Sequence, residues 1–429
     1  TSSDDILDSG TDPASGSGVI NTVDALNEGG SIQVDIDPGD LPGDGSESDP
    51  YKISNASELQ AVEDDLNANY ELVSDIDASQ TAQFDDGAGF DPIGSENTPF
   101  SGSFDGNNHT ITELTINRAD EDDVGLFGVS VGTLTEITLT NATVTGNEDV
   151  GRLVGTVSGD SRLQGVIASG EVSGDKDVGG VAGVASGSST LRDVTASGNV
   201  NSTQDQNVGG LVGGTFDNST IRNATASGNV IGGPFNTGGL IGDNNGNVIS
   251  VTATTNVSGA EDVGGLVGDN NGGTIRDAKA TGNVNGSGSV GGLVGDNEGT
   301  VISAEATGDI TGIEDVGGLS GDNEETGVID SVTASGEVTG TDFAAGGLVG
   351  ANNGGTIQNA TATGDVTGES NVGGVAGLNE GTIIESTGAG NVTGVEDVGG
   401  LVGDNDGKET DEGIISRSTA SGEVAGGDK

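Results

Sequence analysis

The hexapeptide Val263-Gly264-Gly265-Leu266-Val267-Gly268 constrains this chain more than any other feature, because it returns with small variations along most of the 429 residues. Its first positions are Val124, Val150, Val178, Val208, Thr237, Val263, Val290, Val316, Ala345, Val372 and Val398, spaced by 26 to 30 residues. Each copy leads into a polar turn such as Asp269-Asn270-Asn271-Gly272, then into an alternating run such as Thr274-Ile275-Arg276-Asp277-Ala278. Self-similarity at such a period marks a solenoid or a propeller, and a four-stranded propeller blade needs about 40 residues. Units of this length instead fit three short strands separated by Gly, Asn and Asp turns. Parallel strands joined by crossovers are right-handed in nearly all cases. The expected fold is therefore all-β, a right-handed parallel β-solenoid (β-helix) of about eleven coils. At a ladder spacing of about 4.8 Å, those coils make a rod of roughly 50 Å.

Within a coil the fourth position is Leu or Val, as in Leu126, Leu153, Leu211, Leu240, Leu266, Leu293, Leu319, Leu348, Val375 and Leu401, and is expected to face inward. The fifth drifts through Phe, Val, Ala, Ile and Ser, a tolerance that predicts partial exposure. In the following strand, Ile221, Ala224 and Ala226 read as inward. The gap of three breaks the two-residue alternation of a strand, so a corner is expected near Arg222-Asn223. Paired glycines repeated in register imply a bend or a close approach of backbones.

Ahead of the array the composition changes. Residues 1–50 are acidic and rich in Gly, Ser and Pro, as linkers and disordered arms are. One segment in that arm, Ser31 to Asp37, alternates as a strand does, with Ile32, Val34 and Ile36 on one side. Residues 51–123 read as a capping region with first coils. Asn55-Ala56-Ser57-Glu58 offers a helix cap, and Leu59, Val62 and Leu66 follow at helical spacing. Phe84, Phe90, Phe100, Phe104 and Phe127 gather the largest core side chains near this end. The array then fills 124–429.

Charge limits the partners. Against 69 acidic residues stand 12 basic ones, a net of −57. Such a surface cannot neutralise phosphates, which argues against nucleic acid. Self-repulsion of this size disfavours the compact state in dilute buffer, whereas at about 1 M salt the Debye length is near 3 Å. Acid-rich, Lys-poor composition spread evenly through the repeats resembles that of halophilic proteins, especially of salt-loving archaea; an acidic, calcium-loaded secreted protein is the alternative. The melting temperature is accordingly expected to fall steeply as NaCl drops below roughly 1 M. A value that stayed flat down to dilute salt would remove the halophile argument. The sequence holds no cysteine, hence neither disulfide nor thiolate metal site, and no apolar run long enough for a membrane span. A chain opening at Thr1 fits removal of a leader segment.

The repeated Val-Gly-Gly-Leu-Val-Gly unit resembles the GLUG motif of bacterial and archaeal surface proteins. The lead-in from Tyr51 through Phe104-Asp105-Gly106-Asn107-Asn108-His109-Thr110-Ile111 to Gly125-Leu126-Phe127-Gly128 resembles the segment that precedes such arrays. The likeness runs from about Tyr51 to Val424. It implies an adhesin-like extracellular scaffold at the cell surface and brings no catalytic residues.

Candidate chemistry is sparse. Glu148-Asp149, Glu261-Asp262, Glu314-Asp315 and Glu396-Asp397 recur at one place in the coil, as solvated turn acids do, whereas an acid–base site needs two environments that push pKa values apart. Calcium is the one cofactor the turns admit: Asp269, Asn271, Asp296, Asp404 and Asp406 set oxygen ligands close together, although no distal bidentate Glu accompanies them. The same residues are good turn formers. His109 is the only histidine, which rules out His-based triads and multi-His metal sites. Hydroxyl pairs such as Thr225/Ser227 and Thr361/Thr363 line one outer face, as in ice-binding solenoids, interrupted by Lys279 and Glu305. Ten Asn-x-Ser/Thr acceptors occur, and alignment of the copies puts Asn141, Asn223 and Asn359 in the slot of Asp193 and Asp277, a tolerance for charge that makes them the glycan candidates.

The expected function is a non-enzymatic extracellular structural protein, a subunit of a cell-surface filament. Its partner is a second copy, joined head to tail, with Ile32, Val34 and Ile36 of one arm adding to the coil bearing Ile414 and Val424 in the next. Two other classes compete: an adhesin or binding module whose solenoid is a stalk or a face for cell-surface glycans or other surface proteins, and a β-helical polysaccharide-acting enzyme.

Overall fold

The computed structural model describes residues 36–202, 204, 206–405 and 413–426. Each hexapeptide from Val150 onward supplies two short strands separated by a corner, and the one at Val124 supplies the second strand alone. The Val-Gly halves pair in a ten-stranded sheet running from Glu148–Gly151 to Val398–Gly399, and the segments that follow pair in an eleven-stranded sheet from Phe127–Ser130 to Val402–Asp404. The remainder of every coil, together with the capping region, builds a larger sheet of 31 strand segments that turns at the coil corners. Val263 lies opposite Thr237 on one side and Val290 on the other, in parallel register, so the sequence alignment of the copies is also their hydrogen-bond register. The all-β parallel solenoid is the fold.

The glycine pair marks the tightest part of the coil. A Cβ on Gly264 would collide with the carbonyl oxygen of Val267 in its own corner, and one on Gly265 with that of Gly292 in the next coil. The second corner is built differently. Asp193, Asn223, Ser250, Asp277, Ser303, Ser331 and Asn359 all adopt φ between +52° and +57°, the left-handed region that Asn and Asp enter at least cost. Ile221, Ala224 and Ala226 on either side of that corner are buried.

Packing departs from the sequence expectation at the fifth position. Phe127, Val154, Val212, Ile241, Val267, Val294 and Val349 are fully buried, like the Leu before them. Leu266 and Val267 flank the bend, so two consecutive side chains turn into the same core instead of alternating across a strand. What varies there is size. Even Ser320 is satisfied inside, its hydroxyl donating to the Asp322 carbonyl at 2.7 Å. A second, narrower core runs beside the first in the later coils, stacking Val257, Val263, Val284, Val290, Ile310, Val316, Val338 and Val366.

The first coil is covered. The Asn55 side chain accepts the N–H groups of Ser57 and Glu58, while the Glu58 carboxylate takes the Ser54 N–H at 2.7 Å, a reciprocal cap. The helix over Ala56–Gln60 buries Leu59, then tightens into a 3-10 turn over Ala61–Asp64 that buries Val62, so Leu66 lies beyond it. Tyr51, Tyr70, Phe100 and Phe127 stack through successive coils with ring centroids 5.0 to 6.4 Å apart. Residues 36–50 fold onto the same end rather than extending as a linker. Lys52 N–H bonds the Pro42 carbonyl, Asn69 N–H bonds that of Gly45, and Leu41 is 5% exposed. Ile36 packs against its own core, which removes it from the strand proposed for exchange between subunits; Ile32 and Val34 lie outside the described residues.

Candidate functional site

Two carboxylate columns run along the rod where the hexapeptide begins and ends. The first is the residue before each opening Val. Asp123, Asp149, Asp177, Asn207, Asn371 and Asp397 hold φ between +46° and +61°, so backbone geometry selects Asp or Asn there. Asp149, Asp177 and Asp262 are withdrawn from water, unlike the solvated groups their repetition suggested, whereas Glu396 and Asp397 are exposed as expected. Burial, followed by the charges of Asp177 and Asp123, pushes Asp149 up to about 7. Burial also raises Asp262.

The second column stacks Asp243, Asp269, Asp296 and Asp322 in register on four consecutive coils. Burial first, and then the neighbouring acids, lift Asp243 to about 6, Asp269 to about 7 and Asp296 to about 8. Asp322 rises as well, through burial and Asp315, against a 2.6 Å hydrogen bond donated by the Ser289 hydroxyl. Like charges one ladder step apart cannot all ionise without cost. Beyond Asp322 the column continues as Ala351 and Leu378 before Asp404, so Asp404 stands apart from the four. Of the calcium candidates, Asp269 and Asp296 are thus neighbours, Asn271 is an exposed turn residue, and Asp406 lies outside the described residues. Among the described residues no group of three or more acids has the disposition of a metal site.

Between the Asp column and the following turn lies the feature that sequence reasoning missed. Asn244, Asn270, Asn297, Asn323, Asn352 and Asn379 are fully buried, and each Nδ2 donates to the Oδ1 of the next, at 2.7 to 2.8 Å, on to Asn405. The ladder opens on the Thr215 hydroxyl, which donates to Asn244 Oδ1, and Asn405 passes its Nδ2 to the Gly413 carbonyl. A signal was present: the residue after the variable Asp, Ala or Leu is Asn in every coil from Asn244 onward. Arg152 was also missed. It replaces the second glycine of its copy, is fully buried, and donates to the carbonyls of Gly180, Gly170 and Asn199. Burial lowers it to about 10.

A family model described as the GLUG motif matches residues 205–231, 259–285 and 341–367. Three stretches of the array thus match the GLUG motif. Halomucin of Haloquadratum walsbyi is 43% identical over 130 residues, 28% of this chain, and a protein named as a Gly-rich membrane protein of Evansella cellulosilytica is 38% identical over 124. Those matches span 1% and 14% of the relatives' own lengths. A crystal structure titled as an immunoglobulin A1 protease from Bacteroides ovatus aligns over 63% of this chain and 78% of its own with a TM-score of 0.41 and 24% identity.

Along the array, Asn223 and Asn359 do share one corner with Asp193 and Asp277. Asn141 does not. The strand carrying it, Thr138–Thr145, shifts register between Ala168 and Gly170 of the next coil, and the residue at the common corner is Glu136, so Asn141 sits at the irregularity inside the following strand. All three are exposed. The hydroxyl face is broken as expected, by an ion pair of 3.0 Å between Lys279 and Glu305. No helix among the described residues is long and apolar enough to cross a membrane.

Proposed function

We propose that this chain is a non-enzymatic structural element of a cell surface, a rigid acidic rod that takes part in a filament by stacking coil on coil. The observation that carries the reading is the coil-to-coil interface itself. One register and one asparagine ladder repeat without interruption from Asn244 to Asn405 beside two stacked hydrophobic cores, and such an interface accepts a further coil wherever its edge is free. In the last coil described, Ile414, Ile415 and Val424 are 60%, 40% and 48% exposed, the apolar surface that a further coil would cover. The opposite end is covered by the segment from Ile36 to Asp64, so head-to-tail joining requires that cover to move. The likeness to halomucin, from an organism whose name marks it as salt-loving, supports a surface setting and fits the net charge of −57.

Ile415→Asp and Val424→Asp place charge on the edge without touching the buried ladder. Sedimentation velocity in high salt is expected to show assemblies of the parent protein and single rods of the double variant. Equal assembly of both removes this edge from the contact.

A further inference from the structure

We propose that Asn256 and Asn391 are the N-glycan acceptors of this rod, an inference that rests on its surface location. Asn256-Val257-Ser258 and Asn391-Val392-Thr393 are acceptor sequences lying in one column of the third arm of the coil. In both, the middle Val is buried while the Asn and the hydroxyl residue are exposed, so strand alternation sets the amide and the hydroxyl together on the outer face. Their amides are also pre-set. Asn256 Oδ1 accepts the Asn283 N–H at 3.2 Å and Asn391 Oδ1 accepts the Glu423 N–H at 3.1 Å, each from the next coil. Neither Nδ2 donates to a protein group among the described residues.

Attachment of a sugar leaves Oδ1 untouched. The Nδ2 nitrogen loses a proton and bonds the anomeric carbon, while the bond from that carbon to the phosphate of a lipid-linked oligosaccharide breaks and the lipid phosphate departs. The inter-coil hydrogen bond therefore survives modification at Asn256 and Asn391. At Asn223 and Asn359 the situation differs, because Nδ2 itself donates to Asp193 at 3.1 Å and to Asp330 at 3.0 Å in the preceding coil. A glycan there takes one of the two protons of a nitrogen already engaged with a carboxylate and must be seated against that neighbour. Asn283, Asp309, Glu337 and Asp365 separate the two acceptors along the column, which places the sugars roughly 24 Å apart on one face.

Peptide mapping by mass spectrometry of protein isolated from the surface fraction of its own cells tests this. Sugar mass is expected on the Asn256 and Asn391 peptides and absent from those of Asn223 and Asn359. Ser258→Ala and Thr393→Ala should each abolish sugar at their own site alone, with the melting temperature unchanged, since both Asn residues and their hydrogen bonds remain. Sugar confined to Asn223 or Asn359, or bare Asn256 and Asn391 in surface-recovered protein, overturns the proposal while leaving the location intact. Recovery of bare protein only from the cell interior overturns the location and this proposal with it.

Discussion

Asn297→Ala is expected to lower the unfolding free energy by about 2–6 kcal/mol. The change strips two neighbours at once. Asn270 Nδ2 loses its acceptor and Asn323 Oδ1 loses its donor, both fully buried, and each orphaned group costs about 1–3 kcal/mol. Asn271→Ala, in the exposed turn one coil earlier, is the control and should stay within about 0.5 kcal/mol. Asn297→Asp separates hydrogen bonding from shape. An ionised carboxylate still accepts from Asn270 but offers Asn323 nothing, whereas the protonated acid can donate, so this variant should recover stability as pH falls. Denaturant titration at fixed salt measures all three. Equal values for Asn297→Ala and Asn271→Ala would show that the ladder contributes nothing.

Stability at constant salt is expected to fall as pH rises from 5 to 8.5. Asp243, Asp269 and Asp296 bind protons in the folded rod at about 6, 7 and 8, well above the ordinary carboxylate value of 3.8. Protons bound by the folded state and released by the unfolded one stabilise the fold at low pH, and that advantage is full below about pH 4 and lost as pH passes through those values. Asp296 faces Asp322, Asp269, Asp262 and Glu324, all of the same sign. Asp296→Asn should therefore stabilise the protein by about 1–3 kcal/mol at pH 8.5, after allowance for screening by water, and by little at pH 4.5. Asp75, Asp77 and Asp330 sit below the ordinary value because hydrogen bonds favour their charged forms; they act in the opposite direction, but Asp75 and Asp77 are solvent-exposed and Asp330 is half-buried. The reverse result, destabilisation by Asp296→Asn together with a melting temperature that a chelator lowers, contradicts the proton account and returns this column to calcium.

The solenoid was legible because its register is written in the sequence: Val stacks on Val and Gly on Gly, so aligning the copies already aligns the strands. The corner at Asn223 was legible for the same reason, through the break in alternation between Ile221 and Ala224. Burial at the bends was not. Strand periodicity assigns Leu266 and Val267 to opposite faces, and only the corner between them turns both inward. The carboxylates misled in a related way. Repetition of Asp149 or Asp262 suggested a solvated surface, but at those positions Asp answers to backbone conformation or to the neighbouring column rather than to water. Buried asparagine was hidden by composition, since Asn270 and Asn271 are adjacent and only one of them points into the ladder. The glycan slot failed at Asn141, because one irregular coil shifts register there and sequence spacing alone cannot detect it.

Negative-stain imaging of native material tests the structural role most directly. Fibres one rod wide, many times longer than the roughly 50 Å that eleven coils occupy, are the predicted result, shortened to single rods by Ile415→Asp with Val424→Asp. Isolated rods of the parent protein, at the concentration found on its own cells, would contradict assembly and leave a stalk in its place.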